Sequence, residues 1–131
     1  MGCDYTVYVG EIPIKGKRTN LTSLLFGHYV EVDYEKVSEL PHIVIGEASF
    51  LKAGLTGDRK TFIPGVIDKL SRLIPDAESG NTIIIDDALI AYVREAVKEP
   101  NESSYEVYKT PEEIVKFFED NKGKPCFSIC Q

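Results

Sequence analysis

A chain of 131 residues is the size of one domain with a single continuous core. Its apolar fraction of 43% and charged fraction of 27% are those of a folded protein rather than a disordered one. The formal charge of −6 repels phosphate backbones and anionic head groups, which argues against nucleic acid and lipid surfaces as partners and suits a basic protein or a neutral ligand. No apolar run approaches the ~20 residues of a membrane helix.

The first six residues, MGCDYT, fit the pattern for myristoylation at Gly2, with Cys3 placed for a second acyl chain. The alternation of CDYTVYVGEI, Cys3 to Ile12, points instead to a strand inside the fold, which would hide that acceptor. PIKGKRTN, Pro13 to Asn20, has the composition of an exposed loop, with Lys15, Lys17 and Arg18 as its solvated basic cluster. A strand is expected over Phe26 to Val32. Asp33 then caps a short helix carrying Tyr34, Val37 and Leu40, stopped by Pro41. HIVIGEASF, His42 to Phe50, begins as a buried strand that Gly46 interrupts with a bulge or ends.

Ile63, Val66, Ile67, Leu70, Leu73 and Ile74 recur at helical spacing, with Asp68 and Arg72 as a solvent-side pair and Pro75 as the stop. Thr82 to Ile85 is a short buried strand or the lead-in to a helix. Asp86 caps that helix, whose apolar face is Leu89, Ile90, Val93, Ala96 and Val97. Ser104 to Lys109 reads as a strand. In TPEEIVKFF, Thr110 is an N-cap, Pro111 occupies the first helical position and Glu113 completes a capping box. Gly123 stops this helix and Pro125 opens a last strand, with Phe127 and Ile129 on one face and Cys126, Ser128 and Cys130 on the other. The series predicts an α/β or α+β fold: a single-domain sandwich of helices packed on a mixed β-sheet, with a parallel pair expected near the C-terminus.

GLTGDRKT, Gly54 to Thr61, imitates the phosphate loop of P-loop nucleotide hydrolases, with Gly54, Lys60 and Thr61 at the right spacing. Arg59 stands where the second glycine is needed for close backbone approach to phosphate, and Pro64 removes an amide donor from the first helical turn. Nucleotide is therefore not expected, although Arg59, Lys60 and Thr61 remain candidates for a small anion site. IIIDDA imitates a magnesium-binding strand end, but two acids at a helix start are explained by the helix dipole.

Cys3, Cys126 and Cys130 are odd in number, no C-x₂-C pair is present, and no charged-then-apolar leader opens the sequence. Buried free thiols, no metal, no cofactor and a cytoplasmic setting follow as expectations. Cys126 and Cys130 share a strand face roughly 13 Å apart, out of reach of a common ion, while Cys3 meets either one only if the terminal strands pair. His28 or His42 with Glu31, Asp33 or Glu47 supplies the residue types for acid–base work without fixing their geometry. Seven tyrosines suit an interaction surface or half-buried sheet positions, and Tyr105 and Tyr108 are the candidates for exposure on one strand. The leading expectation is a non-enzymatic accessory, inhibitor or regulatory domain that binds a protein partner, a basic one being favoured by charge. The alternative is a small hydrolase or ligand-binding enzyme using a histidine or the Arg59–Lys60–Thr61 site.

Overall fold

The computed structural model describes residues 2–18, 29–49, 65–98 and 106–130. In chain order they form β1 (Gly2–Val9), β2 (Ile14–Arg18), β3 (Tyr29–Val32), α1 (Tyr34–Val37), β4 (His42–Ser49), α2 (Val66–Leu73), a 3-10 turn (Ala77–Ser79), β5 (Ile83–Ile84), α3 (Asp87–Ala96), β6 (Glu106–Val107), α4 (Pro111–Asp120) and β7 (Pro125–Cys130). The result is a mixed α/β domain in three layers. A five-stranded sheet in the order β5-β7-β1-β4-β6 lies in the middle, and β2 with β3 forms a separate two-stranded ribbon.

Strand alternation divides the core in two. Tyr5, Val7 and Val9 of β1 and Cys126 of β7 point toward α2, α3 and α4, where they meet Leu70, Val93, Ile114 and Phe118. Tyr8, Phe127 and Ile129 point the other way and pack with Ile12, Val32, Val37 and Ala77 beneath the ribbon and α1. Both β1 and β7 are therefore covered on both faces, which is why their sequences carry apolar residues at odd and even positions alike. Burial of Phe118 and Leu70, both at 0% exposure, contributes about 1.5–3 kcal/mol each.

The helix signals act as their sequences dictate. Asp33 accepts from the Lys36 N–H, and Asp86 accepts from the Leu89 N–H at 2.8 Å. In the capping box of α4, the Thr110 hydroxyl accepts from the Glu113 N–H and the Glu113 carboxylate accepts from the Thr110 N–H. Asp68, expected beside Arg72, turns back to accept from the Gly65 N–H at 3.2 Å. Gly123 sits at φ +90°, a conformation that L side chains rarely adopt, and its N–H donates to Ile85 O.

Three expectations are corrected. Ile14–Arg18, read as a loop, is a strand: it pairs antiparallel with β3, and the lysines that suggested a loop are equally what an exposed strand edge carries. Every ladder of the five-stranded sheet is antiparallel, and the parallel contact near the C-terminus is an isolated bridge between Asp76 and Ser128. The reason is that α4 returns the chain from edge strand β6 to β7 on the far side of β1, three places away, so no β-α-β unit of neighbours forms.

The third correction concerns the thiols. Cys3 and Cys130 are joined in a disulfide with Cα atoms 5.3 Å apart, and Cys126 alone is free and buried. The terminal strands are neighbours, so the odd count leaves one cysteine over rather than excluding a bond. Among the described residues no helix is long and apolar enough to cross a membrane.

Candidate functional site

β1 and β4 run antiparallel with Asp4 opposite Glu47. The register slips between Tyr5, opposite Gly46, and Thr6, opposite Val44, which leaves Ile45 as the extra residue of a bulge at the glycine flagged by the sequence. Asp4 lies at an even position of β1, so it and Glu47 face away from α2, α3 and α4. β6 adds to the β4 edge through Gly46 and Glu47, and the Tyr108 N–H then donates to Ile45 O at 2.9 Å. This brings the Tyr108 hydroxyl within 3.2 Å of a Glu47 carboxylate oxygen and 3.4 Å of Asp4.

Tyr108 remains 48% exposed. Loss of solvent, then the Asp4 and Glu47 charges, then the hydrogen bonds to them push its phenol up to about 12. Two like charges directly opposite across a ladder repel, and the shared hydroxyl proton offsets part of that cost. A second exposed tyrosine shows a related arrangement on the same side of the sheet. Tyr34, 44% exposed on α1, has its phenol raised by partial burial and then by the neighbouring Glu78 and Asp76 carboxylates.

The remaining candidates separate. Arg59, Lys60 and Thr61, the phosphate-loop imitation that contains them, His28 and Tyr105 lie outside the described residues. His42 is exposed; its Nδ1 is 2.9 Å from Leu40 O and its ring tilts against Tyr8 with centroids 5.3 Å apart. Five residues of extended chain, about 16 Å, separate it from Glu47, and the Asp33 carboxylate is engaged as a helix cap. His42 thus anchors a turn, well along β4 from Glu47. Asp86 caps α3 while Asp87 pairs with Lys122 at 2.6 Å, so the IIIDDA acids serve the helix start. Among the described residues no cluster of His, Cys, Asp or Glu is placed to hold a metal ion.

On the opposite side of the molecule, a shallow groove of about 540 Å³ runs between α3 and α4. Its apolar floor includes Ala91, Val97 and Val115, and its rim alternates Arg94, Lys98 and Lys116 with Glu95, Glu112 and Glu119. Arg94 and Glu119 pair across it. The rim charges cancel, so the groove selects no sign of ligand.

The sequence singled out Tyr108, named Glu47 only as a partner for a histidine, and did not single out Asp4. Their only local signal was Gly46, which marked the bulge without giving the register it sets. The domain is thus an antiparallel sheet covered by three helices on one face and by the ribbon and α1 on the other, the side on which Tyr34 and Tyr108 stand exposed beside carboxylates. The chain matches no protein-family model, no curated protein and no solved structure.

Proposed function

We propose that this domain is a non-enzymatic protein-binding module that receives a basic segment of its partner on the face bearing Tyr108, Asp4 and Glu47. The observation that carries this reading is a tyrosine half in solvent, held in one orientation by two carboxylates. Tyrosine supplies a large amphipathic contact at low entropic cost, and here its rotamer is already restrained before any partner arrives. The flanking carboxylates offer acceptors to lysine or arginine, and the net charge of −6 steers a basic partner toward the surface. Tyr34 beside Glu78 and Asp76 extends the same chemistry over that side of the domain.

The expectation of a cytoplasmic setting rested in part on unpaired thiols. The Cys3–Cys130 bond removes that ground, because such bonds persist where the surroundings are oxidising. The Cys3 sulfur is likewise engaged in that bond and so is not the second acylation site its position beside Gly2 suggested.

The test is affinity capture from the native host at low and high salt, with the recovered partner then measured against Tyr108→Ala and the Asp4→Asn/Glu47→Gln pair. A partner held at low salt, released at high salt and weakened at least about tenfold by Tyr108→Ala supports the reading. A partner indifferent to all three substitutions, or none at either salt, defeats it.

A further inference from the structure

The end of β1 that carries Asp4 is held differently from the rest of the strand. From Tyr5 to Tyr8, β1 is paired on both sides, with β4 and with β7. From Gly2 to Asp4 it is paired only with β4, because the β7 ladder stops at Tyr5 opposite Cys130. The bulge at Ile45 separates this end from the continuous β1–β4 ladder beyond it, and within it Asp4 and Glu47 oppose each other with like charge. Among the described residues, one lateral tie joins this end to β7: the disulfide from Cys3, one peptide unit from Asp4, to Cys130.

We propose that the Cys3–Cys130 bond is a redox-operated clasp on the docking surface: a dithiol reductant that opens it frees the end of β1 and dismantles the Asp4–Glu47–Tyr108 site. This rests on the reading of that site as the docking surface and adds its regulation. Cys130 is exposed and Cys3 partly so, which gives a reductant's thiolate access to the bond. The dithiol supplies two electrons and two protons, the S–S bond becomes two thiols, and the reductant leaves as its own disulfide. With the clasp open, the repulsion between Asp4 and Glu47 is opposed only by the short ladder and the Tyr108 hydroxyl. Cys126 does not interfere: it lies two pleats from Cys130 on β7, and burial pushes its thiol up to about 12, so it holds almost no thiolate at neutral pH. Reoxidation therefore restores the same pair.

The experiment compares oxidised protein, dithiothreitol-reduced protein and the Cys3→Ser/Cys130→Ser variant by amide hydrogen exchange, and follows the Tyr108 phenol by NMR of ¹³C-labelled tyrosine, assigned with Tyr108→Phe. Opening the bond should speed exchange at residues 2–5 and 106–108 by about tenfold or more beyond any gain in α3, whose exchange follows the global stability that the bond also supplies. The Tyr108 phenol should fall from about 12 toward the ordinary value near 10, and reoxidation should reverse both changes. Unchanged exchange and an unchanged phenol would overturn the proposal. Gains at residues 2–5 and 106–108 no larger than that of α3 would also overturn it, because the bond would then act only through the stability of the whole fold. Neither readout needs a partner, so failure here leaves the docking surface standing, and that surface is judged by Tyr108→Ala in the oxidised protein.

Discussion

Removing the disulfide has a cost that follows from where its ends lie in the chain. Cys3 and Cys130 are 127 residues apart, so the bond closes nearly the whole polypeptide into a loop in the unfolded state. The loop-entropy relation for that separation gives about 5 kcal/mol at 25 °C, an upper value, since small domains that lose a native bridge commonly lose 2–5 kcal/mol. With an unfolding entropy of about 2.1 cal/mol/K per residue over 131 residues, that range corresponds to a fall in Tm of roughly 7 to 18 °C. The perturbation is Cys3→Ser/Cys130→Ser, measured beside the wild type with and without reductant. The assay is thermal unfolding by circular dichroism and calorimetry, with agreement of calorimetric and van't Hoff enthalpies as the check on two-state behaviour. Reduced wild type and double variant should melt together, and both should melt well below the oxidised protein. A fall of less than about 4 °C would refute the reasoning, because the terminal strands would then be held together by their ladder alone.

Other predictions follow from single groups. Thr110→Ala breaks the capping box of α4 and should cost about 1 kcal/mol, lowering Tm by about 4 °C, whereas Thr110→Ser should stay within a few tenths of a kcal/mol. Among the described residues the buried Tyr5 hydroxyl has no partner in hydrogen-bond geometry, although it lies close enough to Ser128 to feel that hydroxyl, which donates to Pro75 O. Tyr5→Phe should therefore be neutral or stabilising in denaturant titration, and a loss above about 1 kcal/mol would reveal a bonded hydroxyl. Tyr108 favours its neutral form in the folded state, so its contribution to stability is complete below about 10 and is lost as pH rises through about 12. Tyr108→Phe should remove that part of the alkaline decline, and an unaltered alkaline profile in the variant would exclude the acid-flanked environment.

Legibility in the sequence tracked how local each cause was. Thr110, Pro111 and Glu113 specify the start of α4 within four residues, and Asp33 and Asp86 do the same for their helices, so these elements were readable without knowing the fold. The opposed faces of β7 were readable as well, since alternation is a property of the strand itself. β2 was not, because a lysine-rich stretch becomes a strand only when β3 lies beside it. The disulfide needed β1 and β7 to be neighbours, a relation between residues more than a hundred positions apart. The Asp4–Glu47–Tyr108 cluster needed the β1–β4 register, because without the extra residue at Ile45 strict alternation would have put Glu47 on the other face.

The position of β1 also bears on how the chain is made. One of its edges stays open until β7 has been synthesised about 120 residues later, which at 5–20 residues per second is roughly 6 to 24 s on the ribosome. Throughout that interval an apolar, hydrogen-bond-hungry edge bearing Val7 and Val9 is available to any passing strand. Nascent chains of this protein should accordingly depend on holdase chaperones, and a version stalled before β7 should aggregate through its first strand.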